Sequence, residues 1–142
     1  MICMNRLGRV VLLFGMSAIA AIVHALLIGP PPSGPVDDGW AVDAADALLQ
    51  EESIWVDSRS HEAYLENHYP GAFHLEFDAW DEGLAALLME WDPDRKILVY
   101  CDGESCESSR MVAARLREEL GVETVFWIRG GWPELSREDP SL

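Results

Sequence analysis

Two cysteines stand five positions apart, Cys101 and Cys106, in the stretch VYCDGESCESSRMVAARL. The first closes an apolar run that reads as a buried strand. The second lies in a polar loop leading into a helical pattern. A thiol at such a junction faces the N-terminus of a helix, whose unpaired N–H groups and partial positive charge stabilise a thiolate and lower its pKa. A loop wrapped around that thiolate also turns N–H groups toward a bound oxyanion. Gly103 allows a tight backbone path, Ser108 or Ser109 can cap the helix, and Glu107 suits its first turn while competing with an incoming anion. The chemistry open to such a pair is nucleophilic attack by a thiolate or a dithiol–disulfide cycle. Cysteine is also a common small core residue, and it is the loop context that favours a nucleophile at Cys101. Cys106 reads as a resolving thiol, a second carrier or a packing residue. A 101–106 disulfide requires the two Cα atoms within about 7 Å.

The elements that hold this loop belong to a chain of 142 residues, enough for one domain of ordinary size. Arg6 and Arg9 are the only Lys, Arg, Asp or Glu residues before Asp37, so all 25 acidic side chains, against 8 basic ones, fall after position 36. A surface of that sign repels nucleic acid and anionic headgroups, and no nucleic-acid partner is expected. The three cysteines, Cys3, Cys101 and Cys106, are too few for a disulfide scaffold, and no Cys/His spacing suits a zinc site.

Residues 10–29 form an apolar run of 20 broken only by Ser17 and His24. At about 1.5 Å per residue it matches the roughly 30 Å hydrocarbon core of a bilayer. With Arg6 and Arg9 before it, the positive-inside rule leaves residues 1–9 as a cytoplasmic tail, makes 10–29 a single transmembrane anchor, and sets the rest on the periplasmic side of the inner membrane. A cleaved signal peptide is the rival, but no small-x-small pattern follows the run. Residues 30–36 are a Pro-rich linker, and 37–142 the folded domain.

In that domain, helical spacing over 42–50 is followed by a β-rich run at 54–59 and a helix over 60–68 opened by Ser60. A Pro-Gly turn then runs into a short strand within 69–75, before an amphipathic helix over 77–91. A buried strand at 96–100, a helix over 108–120 stopped by Gly121, a strand at 122–128 and a Gly-Gly turn opening a last helix complete the pattern. Alternating strands and helices predict an α/β domain with a central, mostly parallel sheet, whose functional residues lie beyond the carboxyl ends of the strands. Trp55, Trp127 and Trp132 read as core or near-core. Trp40, Trp80 and Trp91 read as core or as a contact surface.

VDSRSHEAYLENHYPGAFHL at 56–75, ILVYC at 97–101 and FWIRGGWPEL at 126–135 together resemble a rhodanese-like domain, the sulfurtransferase family, over about residues 37–136. The resemblance implies a single α/β domain with helices flanking the sheet, no metal and no organic cofactor. It makes Cys101 the nucleophile that accepts a sulfane sulfur and holds it as a persulfide. Asp57 and Arg59 match the family's Asp-x-Arg in a supporting role. Asp102, Gly103, Glu104, Ser105, Glu107, Ser108, Ser109 and Arg110 match the anion-binding loop, and Cys106 adds a resolving thiol. Common active members have Cys-x-x-Gly-x-Arg-Ser. If Ser109 takes the closing serine's place, the loop here is two residues longer, Ser108 stands where the arginine would be, and Arg110 is displaced into the helix. CDGESCESS resembles instead a bacterial variant with a second loop cysteine, often attached to a membrane segment. Asp102, Glu104 and Glu107 do nothing to attract the thiosulfate dianion, so a protein persulfide or thiol partner is as good a donor as a small molecule.

Three functions remain open: a membrane-tethered sulfurtransferase or persulfide carrier on Cys101, a redox module cycling Cys101 and Cys106, and a non-catalytic binding domain. A cysteine phosphatase is disfavoured, because its loop needs an arginine to grip phosphate.

Overall fold

The computed structural model describes residues 38–103 and 107–142. The expected tail 1–9, membrane run 10–29 and linker 30–36 lie outside the described residues, as do Glu104, Ser105 and Cys106. No helix among the described residues is long and apolar enough to cross a membrane.

Five short strands form one sheet: β1 (Ala41–Val42), β2 (Ile54–Asp57), β3 (Phe73–His74), β4 (Ile97–Tyr100) and β5 (Val125–Ile128). Their order is β1-β5-β4-β2-β3, and every pairing is parallel. The helices are α1 (Ala44–Leu48), α2 (His61–Glu66), α3 (Trp80–Glu90), α4 (Glu107–Leu120) and α5 (Gly131–Glu138).

The strands are apolar on both sides because helices cover both faces of the sheet. On one face Ile54, Val56, Ile97, Val99, Val125 and Trp127 pack with Trp80 and Leu87 of α3 and with Val112, Ala113 and Leu116 of α4. On the other, Trp55, Leu98, Tyr100 and Ile128 meet Ala44 and Ala47 of α1 and Leu135 of α5. β4 lies at the centre, paired with β2 at four positions and with β5 at three.

Departures from the sequence pattern are local. β1 has no apolar run to announce it, and the helix expected over 42–50 starts only after Asp43. The helix expected over 77–91 is a 3-10 turn (Phe77–Ala79) followed by α3. The helix expected over 60–68 ends at Glu66, because Asn67 is extended, and the N–H of Ala63 donates to Ser60 Oγ at 3.4 Å. Helix α4 begins at Glu107, which puts Ser108 and Ser109 inside its first turn instead of at its cap. Trp55, Trp80 and Trp127 are buried, and Trp132 is partly buried at the edge of the core.

Close packing of α3 on β3 depends on Gly83, where a Cβ would come 2.6 Å from the His74 carbonyl oxygen and 2.7 Å from Leu75 Cδ1. Alanine would gain up to about 1 kcal/mol in helix propensity. A backbone carbonyl yields little, so overpacking of about 1–3 kcal/mol outweighs that gain. Gly83→Ala is expected to lower the denaturant midpoint of unfolding. A midpoint at or above wild type would show that α3 is free to shift.

Candidate functional site

All strands point the same way, so the segments after β2, β4 and β5 meet at one edge of the sheet. Cys101 is the first residue beyond β4 and is 2% exposed, packed on the face covered by α3 and α4. Its thiol is therefore enclosed, at the head of a loop leading to α4.

Two carbonyls at this strand end are fixed by other elements. Ser58, just past β2, directs both its N–H (2.9 Å) and its Oγ (2.8 Å) onto the Tyr100 carbonyl oxygen. The only hydroxyl proton of Ser58 is used there, so Ser108 donates to Ser58 Oγ at 3.4 Å and ties in the first turn of α4. The Cys101 carbonyl accepts the N–H of Trp132 at 2.7 Å. Gly131, at φ 56°, lies against the same carbonyl and has no room for a Cβ; Gly103, at φ 92°, is packed as tightly against the Gly130 carbonyl and Pro133. The start of the cysteine loop and the Gly-Gly turn interlock through backbone atoms.

Behind them lies a buried ion pair. Arg59 Nη2 donates to Asp57 Oδ2 at 2.7 Å and Nε to Oδ1 at 3.0 Å, with the side chains 3% and 0% exposed. Arg59 also reaches the Asn67 carbonyl (2.5 Å) and Asn67 Oδ1 (3.4 Å). Its guanidinium carbon lies 4.5 Å from the Trp132 ring centroid and 5.5 Å from that of Tyr100. Burial works against the charge of Arg59. The hydrogen bonds and attraction of Asp57, with a smaller pull from Asp102, outweigh it and hold the guanidinium above its ordinary pKa. Burial, reinforced by Asp57, likewise raises the Tyr100 phenol well above its usual range and keeps it neutral.

The remaining expected loop residues scatter. Asp102 and Glu107 are exposed, Gly103 and Ser108 half-buried, and Ser109 buried within α4. Arg110 lies over the Trp127 ring, 5.7 Å from its centroid, with Nε 3.7 Å from Asp38 Oδ2. From the sequence, Gly131 and Trp132 stood out only as part of a turn and as a core or near-core residue, and Ser58 did not stand out at all. The Gly-Gly pair after a strand was a visible sign of close backbone approach, whereas the serine between Asp57 and Arg59 carries no pattern of its own. No grouping of three or more His, Cys, Asp or Glu suited to a metal occurs among the described residues.

The arrangement is that of an α/β domain offering a thiol at the carboxyl end of its central strand. The family model of the rhodanese-like domain matches residues 41–138, and the chain belongs to that family. A tRNA uridine(34) hydroxylase of Erwinia tasmaniensis is 35% identical over 107 residues, which cover 71% of this chain and 29% of that protein. The match thus spans under a third of that relative's length. Among solved structures, a Bacillus halodurans protein aligns at 28% identity with TM-score 0.59, over 70% of this chain and 73% of its own. The rhodanese-like domain of an Anabaena protein aligns at 21% identity with TM-score 0.54, over 70% and 75% respectively.

Asp38 gives the site's periphery a pH dependence. Its burial would raise its pKa, but the hydrogen bonds from Trp127 Nε1 (2.9 Å) and the Trp40 N–H (3.0 Å), with the charge of Arg110, pull it below 3.8. A depressed folded-state pKa stabilises the fold above the unfolded value, and that contribution is lost as pH falls through the folded one. Wild type is therefore expected to exceed Asp38→Asn in denaturant midpoint at neutral pH, with the difference closing below pH 3.8. A difference that persists undiminished in acid would rule this out.

Proposed function

We propose that this chain is a sulfurtransferase or persulfide carrier that works on Cys101. The observation that carries the reading is the enclosed thiol at the end of β4, with its own carbonyl held by Trp132 and the preceding one by Ser58. The Cys101 thiolate attacks the outer sulfur of a donor persulfide, and the donor's S–S bond breaks. The donor thiolate leaves with the electron pair as Cys101 becomes a persulfide. An acceptor thiolate then attacks the outer sulfur and regenerates the Cys101 thiolate, with no net oxidation.

The donor is a protein persulfide or a small persulfide in preference to thiosulfate, since Asp102 and Glu107 bring negative charge beside the loop. In this reading Cys106 is the second thiol of the loop sequence, and Asp102, Gly103, Glu104, Ser105, Glu107, Ser108, Ser109 and Arg110 are its neighbours in the chain. The tRNA chemistry in the relative's name belongs to a protein of which this match covers 29%. An acidic surface argues against RNA as a partner of this chain.

The test is intact and peptide mass on the full chain, reduced, freed of reductant and exposed separately to thiosulfate and to a small persulfide. One added sulfur on Cys101, greater with the persulfide and absent in Cys101→Ser, is expected. Loss of two hydrogens with 101 and 106 linked would favour the redox module. No change with either donor would leave a non-catalytic binding domain.

We also propose that residues 10–29 anchor the chain in the inner membrane, with 1–9 cytoplasmic and 37–142 on the periplasmic side. The support is the 20-residue apolar length, broken only by Ser17 and His24, and the arginines before it. The protein is expected to stay with membranes through a high-pH wash and to be released by detergent. Release by the wash, or a mature mass lacking the run, would exclude the anchor.

A further inference from the structure

We infer that Arg59 is the positioning residue of the cysteine loop: through Trp132 it fixes the Cys101 carbonyl, and with it the aim and reactivity of the thiol. The inference rests on the reading of Cys101 as the working thiol.

A guanidinium makes in-plane hydrogen bonds from its edges and stacks only through its faces. In Arg59 the edges are taken. Nε and Nη2 hold Asp57, while Nη1 and Nη2 hold Asn67. The group is locked in orientation, and its flat face is what remains for Trp132 at 4.5 Å. Trp132 is half-buried, and its ring rests on this guanidinium and on Tyr100, whose ring centroid is 5.7 Å away. The same residue's N–H holds the Cys101 carbonyl at 2.7 Å, with Gly131 pressed against that oxygen. Displacing Trp132 therefore turns the peptide that carries the Cys101 side chain.

Among the described residues nothing nearer replaces this link. Ser108 stands where the family's loop has an arginine, and Arg110 is engaged by Trp127 and Asp38. Asp102, next to Cys101, adds to the attraction that holds Arg59 charged. Among the described residues flanking this strand end, Asp57 closes β2, Arg59 lies two residues on, Asp102 follows Cys101, Glu107 and Arg110 stand in the first turn of α4, and Glu134 packs beside the Gly130 turn. Of these only Arg59 is both cationic and buried. Lysine keeps the charge but supplies neither the fork nor the face.

The test follows alkylation of Cys101 by iodoacetamide against pH in the full chain, read by peptide mass so that Cys3 and Cys106 are counted apart. Arg59→Lys and Trp132→Leu are expected to raise the midpoint by about one pH unit, roughly a ten-fold loss of thiolate at a fixed lower pH. Trp132→Phe, which keeps a flat ring, is expected to stay at the wild-type midpoint. Should Arg59→Lys fail to fold, the two Trp132 variants decide, since both retain the backbone N–H. An unmoved midpoint in Trp132→Leu, with only a lower melting temperature, would overturn the inference and leave Arg59 a structural tie. Alkylation needs no sulfur transfer. A shifted midpoint in a chain that takes up no sulfur therefore removes the carrier reading alone, and an unmoved midpoint in a chain that does take it up removes the positioning role alone.

Discussion

The last carbonyl of β4 and the one after it set the terms for everything at this edge of the sheet. A central parallel strand is paired on both sides and covered on both faces, so where it ends its backbone polar groups are still away from water. Leaving a buried acceptor unmade costs about 1–3 kcal/mol. Here the donors come from the two flanking strands' loops. Ser58, after β2, satisfies Tyr100, and Trp132, after β5, satisfies Cys101. The requirement that backbone groups find partners thus draws three separate segments into contact, and the thiol stands at their junction.

The Asp57–Arg59 pair should be understood in the same terms. Breaking such a pair by removing one member typically costs about 3–5 kcal/mol, yet exchanging both for apolar residues of similar size is often neutral or stabilising. Its value here lies in geometry rather than in net stability. A fully forked, fully enclosed guanidinium has a single orientation, and Tyr100, held neutral by burial, adds no charge to compete with it. Flexible surface pairs such as Arg137 with Glu138, at 3.4 Å and well exposed, have no comparable hold on their neighbours.

Much of the fold was legible in the sequence because its signals are dense where the core is. ILVY at 97–100 and VFWI at 125–128 are continuous apolar runs, and both proved to be strands, β4 buried throughout and β5 buried except at the half-buried Phe126. β1 was not legible, since two residues carry no periodicity and its position follows only from pairing with Trp127 and Ile128. At the site, Cys101 and the Asp57–Arg59 pair stood out by residue type and place. What could not be read was which distant backbone groups they would meet. Ser58 has no signature, and Gly131 announces close approach without naming the Cys101 carbonyl as the thing approached. The start of α4 also fell one residue early, which moved both serines from cap to first turn.

The sheet ends on each side in a strand of only two residues, β1 at one edge and β3 at the other. A long unpaired edge is a template on which a second copy can add strand to strand, and natural proteins blunt such edges by keeping them short. Two residues present too few free N–H and C=O groups to hold a foreign strand in register. Self-association by edge-to-edge pairing, the usual route from a β-rich fold to aggregates, is thereby closed at both borders of this sheet, and neighbouring copies can be crowded together without fusing their sheets into one.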